Sequence, residues 1–170
     1  MQPREYQEAP VRIVDIDDET LTKLGRQWPW PRTMLAQMVA NLANAGAAAI
    51  VFDMVFAEPD RTNPKNMLEL WAETGDVAEI KASIEKLPDH DAIFADVIGQ
   101  AGNVVMGFVL IDEPNGVLPK TREPSYAGDK PWPYLHGYSG AVNNLPALEA
   151  AAAGNGTFSF APAQDLPVRR

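Results

Sequence analysis

Apolar and polar residues alternate between two periods along this chain, and the changes of period predict its elements. Val11 to Asp17 is a continuous β-branched run closed by acids, which predicts a buried strand. Asp18 to Leu24 carries its acids early and is followed by Gly25, the pattern of a short helix with a glycine stop. After the rigid "QWPWPR", Pro31 stands at a helix start, and Met34, Leu35, Met38, Val39, Leu42 and Ala45 recur at helical spacing until Gly46. Ala47 to Val55, carrying Asp53, predicts a second buried strand, so that strand, helix and strand make a βαβ unit.

Downstream the signal alternates between clear and faint. Asn63 to Gly75 holds only a weak helical pattern around Met67, Leu68 and Trp71, whereas Val77, Ile80, Ile84 and Leu87 line one face of a helix ended by Pro88. Asp89 or Asp91 is placed to cap the next helix, whose apolar face is Ile93, Phe94, Val97 and Ile98, with Gly102 as its stop. Asn103 to Ile111 predicts a third strand. Asp112 to Asn144 shows no period, only recurrent Pro and Gly with Tyr126, Trp132, Tyr134 and Tyr138, and reads as a long functional or irregular loop. A short helix from about Leu145 to Ala153 and a strand around Thr157 to Phe160 complete an α/β architecture: a mostly parallel sheet with helices on both faces and at least one βαβ unit. Residues 1–10 form a polar lead-in, and 11–170 form a single domain.

Composition narrows the function. With 170 residues there is room for one ordinary core, and a net charge of −9 argues against nucleic acid as a partner. The absence of cysteine removes disulfides, thiolate metal sites and cysteine nucleophiles. No apolar run reaches the roughly 20 residues needed to span a bilayer, and the abrupt ends suggest an excised domain.

The chemistry gathers in Asp15, Asp17, Asp18 and Glu19. Asp15 and Asp17 share one side of the predicted strand, while Asp18 and Glu19 suit the start of a helix. Asp15, inside an apolar strand, needs a buried partner, for which Arg32 is one candidate. Asp17 and Asp53 sit at the carboxyl ends of their strands, the edge where open α/β sheets bind ligands. A ligand site there would use Asp17, Asp53 and Glu58 as polar contacts, Arg32 as counter-charge, and Trp28 and Trp30 as apolar walls. Such carboxylates hold magnesium, accept hydrogen bonds or act as acid and base. The D-x-D of Asp15 and Asp17 resembles the opening of haloacid-dehalogenase-type phosphatases, but that motif continues D-x-D-x-[TV], and here Glu19 occupies the last place with Thr20 one position late. His90 and His136 are isolated and read as a solvated helix start and a loop residue, and no cofactor motif occurs. A metal-dependent hydrolase on Asp15 and Asp17, a ligand-free dimerising module, and a site in the aromatic loop at Tyr126 and Trp132 stay open beside the ligand-binding reading.

The assembled motifs resemble a known family. "IVDIDDETLTKLGRQWPWPR", an amphipathic helix, and "GAAAIVFDMVFAEPD" are similar to the second type of CHASE domain, the cyclases/histidine kinases associated sensory extracellular domain. Its pattern, V-D-I-D-[DE]-x-[ST]-L, G-x-W-P-W-x-R and G-A-x-x-I-x-x-D-x-x-F-x-E-P-D, is met at Asp15 to Leu21, Trp28-Pro29-Trp30, Arg32, Asp53, Phe56 and Glu58-Pro59-Asp60, with Gln27 as a one-residue insertion. "AGNVVMGFVL" and "NNLPALEAAAAGNGTFSF" extend the likeness, while the family's D-G-x-x-R-R is met loosely at Asp165 to Arg170, with Leu166 for Gly. The resemblance implies a periplasmic, non-enzymatic sensor for a small molecule or other cue in a bacterial receptor. It also implies tethering to membrane helices and an adenylate/guanylate cyclase or kinase output, with part of the sensor continuing beyond this chain; a homodimer stays open as one assembly. No ligand follows from it.

Overall fold

The computed structural model describes residues 10–25, 27–66, 83–84, 86–121 and 125–159. They fall into two compact units, Met1–Trp30 and Pro31–Arg170.

The first unit is built around helix α1, Asp18–Leu24. Asp17 starts it, accepting hydrogen bonds from the Thr20 backbone N–H (2.8 Å) and hydroxyl (2.7 Å). Gly25 ends it in the left-handed region at φ 62°, where a side chain would be strained. Residues 11–17 depart from the expected strand: they form no β ladder among the described residues, and Ile13 is 91% exposed. β-branched composition fits a pleated surface but does not supply the ladder partner that makes a strand. The buried partner expected for Asp15 has the same fate, because Asp15 is exposed.

The second unit begins with α2, Arg32–Asn44, whose Leu35, Ala36 and Val39 are buried as the spacing predicts. Strand β1 is only Ile50–Val51, shorter than the expected Ala47 to Val55. Helix α3, His90–Ala101, is capped by Asp89 and buries Phe94 and Ile98. Strand β2, Val104–Ile111, is followed by a 3-10 turn at Trp132–Tyr134, strand β3 at Gly140–Val142, helix α4 at Pro146–Ala151 and strand β4 at Gly154–Thr157. Helix α3 packs between α2 and α4. The expected patterns around Met67, Leu68, Trp71, Val77 and Ile80 lie outside the described residues.

Strand β2 is the centre of the sheet, parallel to β1 and β4 and antiparallel to β3. β1, α3 and β2 therefore form a βαβ unit, one strand later than the sequence pattern suggests. The carbonyls of Asn103 and Val105 accept from Ile50 and Phe52, and Ile111 accepts from Ser139, so the odd-numbered residues of β2 face β1 and β3 on one edge. Phe108 and Leu110, one residue out of phase, bond Phe158 and the Ser159 hydroxyl on the β4 edge.

Two asparagines explain why the region expected to be structureless folds back. Buried Asn144 accepts from the Phe56 N–H (2.8 Å) and donates to the Gly107 carbonyl (2.8 Å), so one side chain replaces a rung of the ladder. Leu145 N–H then donates to the Phe56 carbonyl at 2.8 Å. Asn115 clasps Ala141 from both sides of its amide, which seats β3. Between these edges and α3, Phe52, Phe56 and Phe94 meet edge to face at 5.4 to 5.8 Å and form the centre of the core.

Candidate functional site

The region after β1 carries a closed polar network. Pro31 occupies the N-cap of α2 and has no side chain able to cap it, which leaves the first helical N–H groups without partners. Asp60 supplies the cap from a distant segment: its Oδ2 accepts from the Arg32 N–H at 2.7 Å, and its charge complements the positive end of the helix. Its Oδ1 accepts from the Thr62 N–H and hydroxyl, both at 2.8 Å, and His90 Nδ1 lies 3.1 Å from Oδ2. Since an ionised carboxylate only accepts, the ring proton of His90 belongs on Nδ1. Burial pushes the Asp60 carboxyl up, but the N–H groups of Arg32 and Thr62, the Thr62 hydroxyl and His90 outweigh it and hold the group below its ordinary value.

Arg32 turns back over the same region. Its Nε donates to Asp91 Oδ1 at 3.3 Å, its Nη2 to the Glu58 carbonyl at 3.2 Å, and its guanidinium lies 4.4 Å from the Phe56 ring centroid. Asp91 uses its other oxygen on the Asp60 N–H at 2.9 Å. Sequence pattern admits either Asp89 or Asp91 as the cap of α3, and the structure separates them: Asp89 caps, while Asp91 grips Arg32 and Asp60. The start of α2, the Glu58–Asp60 turn and the start of α3 are thereby tied together above the phenylalanine core. His90, expected as a solvated helix start, is mostly buried in this lock.

Of the six residues read from sequence as a ligand rim, Asp17, Trp28 and Trp30 belong to the first unit and Arg32, Asp53 and Glu58 to the second. Arg32 and Glu58 are brought together, through the Glu58 carbonyl, which leaves the exposed Glu58 carboxylate free of Arg32. Asp53 is exposed just past β1. In the first unit, Asp17 is fully exposed, with its carboxyl held below the ordinary value by the Thr20 hydroxyl and then the Thr20 N–H. Trp28 and Trp30 are neighbours with ring centroids 6.2 Å apart, across a cis Trp28–Pro29 bond. The Trp30 indole N–H is buried with no acceptor among the described residues.

Sequence reasoning missed Asp60, His90 and Asp91. The available signal was small: Asp60 and Thr62 have the spacing of a side chain-capped turn, and Pro31 announces a helix start that some other residue must cap. Tyr126 and Trp132 meet edge to face at 5.7 Å, half exposed, on the aromatic loop. His136 is an exposed loop residue, as read from sequence, and lies 3.2 Å from Asp112. No group of three metal-ligating side chains occurs among the described residues.

Comparison with known proteins decides the class. A family model described as the CHASE2 domain matches residues 1–170, the whole chain. The chain belongs to the CHASE2 family. This is an extracellular sensory domain family and not a catalytic one. No curated protein and no solved structure matches the chain. Within this CHASE2 domain, no helix among the described residues is long and apolar enough to cross a membrane.

Proposed function

We propose that this CHASE2 domain is the periplasmic signal-input part of a bacterial membrane receptor. In this reading it senses a small molecule or other extracytoplasmic cue and governs a cytoplasmic adenylate/guanylate cyclase or kinase through attached membrane helices. The observation that carries the reading is the buried Arg32–Asp60–Asp91 lock on the turn that bears exposed Glu58, on the segment that follows β1 and also carries exposed Asp53. A ligand gripping those acids pulls on the turn that caps α2 and holds the start of α3, so binding reaches two helices through hydrogen bonds already in place. Coupling then follows from any difference in affinity between the arrangements of that turn.

Thermal-shift screening of the chain against metabolites tests the reading, because a ligand that binds only the folded state raises the melting temperature. A ligand whose shift disappears in Asp53→Asn/Glu58→Gln, with the unliganded melting temperature kept, supports this rim. The absence of any saturable ligand in the chain and in the full receptor would leave a ligand-free dimerising module instead. The genomic sequence following this domain tests the receptor context: membrane helices followed by a cyclase or kinase are expected.

A further inference from the structure

The opposite edge of β2 carries a second arrangement of polar groups. A cleft of about 520 Å³ opens where α4 runs into β4, lined by Lys120, Thr121, Glu149, Gly154 and Asn155, with Ala152 and Ala153 between helix and strand. Glu149 projects from α4, and its Oε1 is shut off from water with no donor among the described residues. Burial pushes the Glu149 carboxyl up, with Lys120 pulling the other way, yet the two form no ion pair among the described residues. Asn155 repeats the pattern. Its Nδ2 donates to the Lys120 carbonyl at 3.1 Å, which fixes the orientation of the amide, and its Oδ1 is buried without a donor.

The cleft thus gathers a carboxylate and an amide, each with one oxygen that has no donor among the described residues, beside the ammonium of Lys120. Native structures seldom leave buried acceptors unmatched, so such atoms ask for a partner. Ordinary core packing does not explain them, because an apolar side chain at 149 or 155 would fill the same space without the desolvation. We propose that this cleft binds a small zwitterion of the free α-amino-acid type. Its ammonium is received by Glu149 and Asn155, and its carboxylate by Lys120 and the Thr121 hydroxyl. Small residues at 152–154 leave room for the ligand's own side chain. A cation alone satisfies only half of this set, and so does a carboxylate alone. This site is separate from the Asp53 and Glu58 rim, since Gly154 and Val51 pair with opposite edges of Val105.

The test is calorimetric titration of the chain with each of the common amino acids, with ethylamine and acetate as half-ligand probes at equal ionic strength. At least one amino acid is expected to bind saturably and to raise the melting temperature, and each half-ligand to bind more weakly. Glu149→Gln, isosteric but uncharged, is expected to weaken binding by about tenfold or more, as loss of a charge-assisted contact does. Lys120→Met, at an exposed position, should do the same while leaving the fold intact. Asp53→Asn/Glu58→Gln should leave amino-acid binding unchanged. No saturable binding of any amino acid overturns the proposal, as does binding indifferent to both Glu149→Gln and Lys120→Met. Loss of binding in the Asp53/Glu58 variant moves the ligand to the rim and also overturns it, while the sensory reading survives.

Discussion

Replacing Arg32 by Ala removes the guanidinium of the lock and leaves Asp91 without that counter-ion. The Arg32 and Asp91 side chains are 10% and 14% exposed, so the pair behaves as a buried one rather than a surface one. Removing one partner of a buried ion pair costs about 3–5 kcal/mol, mainly because the other charge stays behind without its counter-ion. Loss of the contact with Phe56 at 4.4 Å adds about 1 kcal/mol. Against this, Asp91 keeps the Asp60 N–H on its second oxygen, so part of its charge remains solvated by the protein. The net expectation is about 3 kcal/mol, which for a chain of this size is a fall of roughly 6–12 °C in melting temperature. Urea unfolding followed by tryptophan fluorescence measures it, and the slope with denaturant should not change. Arg32→Lys, which keeps the charge but loses the planar fork, should cost about half as much. A cycle with Asp91→Asn should show a coupling of about 1 kcal/mol or more between the two sites. If Arg32→Ala stays within about 1 kcal/mol of the parent and the cycle shows no coupling, the pair is not a lock and the reasoning fails.

Asn144→Ala orphans the buried Phe56 N–H and the Gly107 carbonyl together, so a loss of about 2–4 kcal/mol is expected in the same unfolding assay. Gly107→Ala brings a Cβ to 2.7 Å from the Phe52 carbonyl oxygen and 2.7 Å from Phe158 Cε1; a cost of about 1–3 kcal/mol follows, and Phe158→Ala should rescue only part of it because the carbonyl stays in place. The Asp60 carboxyl titrates lower in the folded than in the unfolded chain, so its contribution to stability is full above the unfolded value of about 4 and is lost as pH falls through the folded value. Melting temperatures of the parent and Asp60→Asn should therefore converge below about pH 4, and a constant difference down to lower pH would contradict the assignment.

Legibility in the sequence followed how local each determinant is. Helix α1 with its Gly25 stop, α2 with its buried face, and α3 with an Asp cap are set by neighbours within one or two turns, and the pattern showed all three. Strand β2 was equally plain, because its run from Val104 to Ile111 is uninterruptedly apolar around buried Val104, Met106 and Phe108. What failed depended on distant partners. Val11 to Asp17 has a strand's composition but no ladder partner among the described residues, while the last strand, expected around Thr157 to Phe160, is β4 at Gly154–Thr157, whose Gly-Asn-Gly-Thr lacks strand composition and is held by the β2 edge. Strand β3 was hidden for the same reason: Asn115 and Asn144, side chains that mimic peptide groups, do the seating, and an asparagine in a loop gives no sign of what it will bond. Of the predicted rim, Asp53 was read at the carboxyl end of the expected strand and lies exposed just past β1, and Glu58 is exposed after it. The partners of Arg32 were not readable, since Asp60 and Asp91 come from two other segments.

The lock and the aromatic core beneath it do different things for the fold. Phe52, Phe56 and Phe94 supply burial, which is large but weakly directional, and many small shifts of the turn would keep most of it. Arg32, Asp60 and Asp91 add little by burial, yet their hydrogen bonds tolerate only one arrangement of the Glu58–Asp60 turn against α2 and α3. A sensor needs such a combination: a core that survives rearrangement and a polar latch that defines which arrangement is populated. At about 3 kcal/mol, opening the latch alters a conformational ratio by roughly 100-fold, so a signal that opens it must prefer the open turn by a comparable factor. A millimolar ligand binding only one arrangement supplies about 4 kcal/mol at 1 M standard state, and far less at working concentrations near its dissociation constant. On the proposed receptor reading, the latch therefore sets a threshold. Variants that weaken it, such as Arg32→Lys, should lower the ligand concentration needed for half-maximal output in the full receptor and raise its basal output, whereas variants of the phenylalanine core should lower stability without moving that threshold.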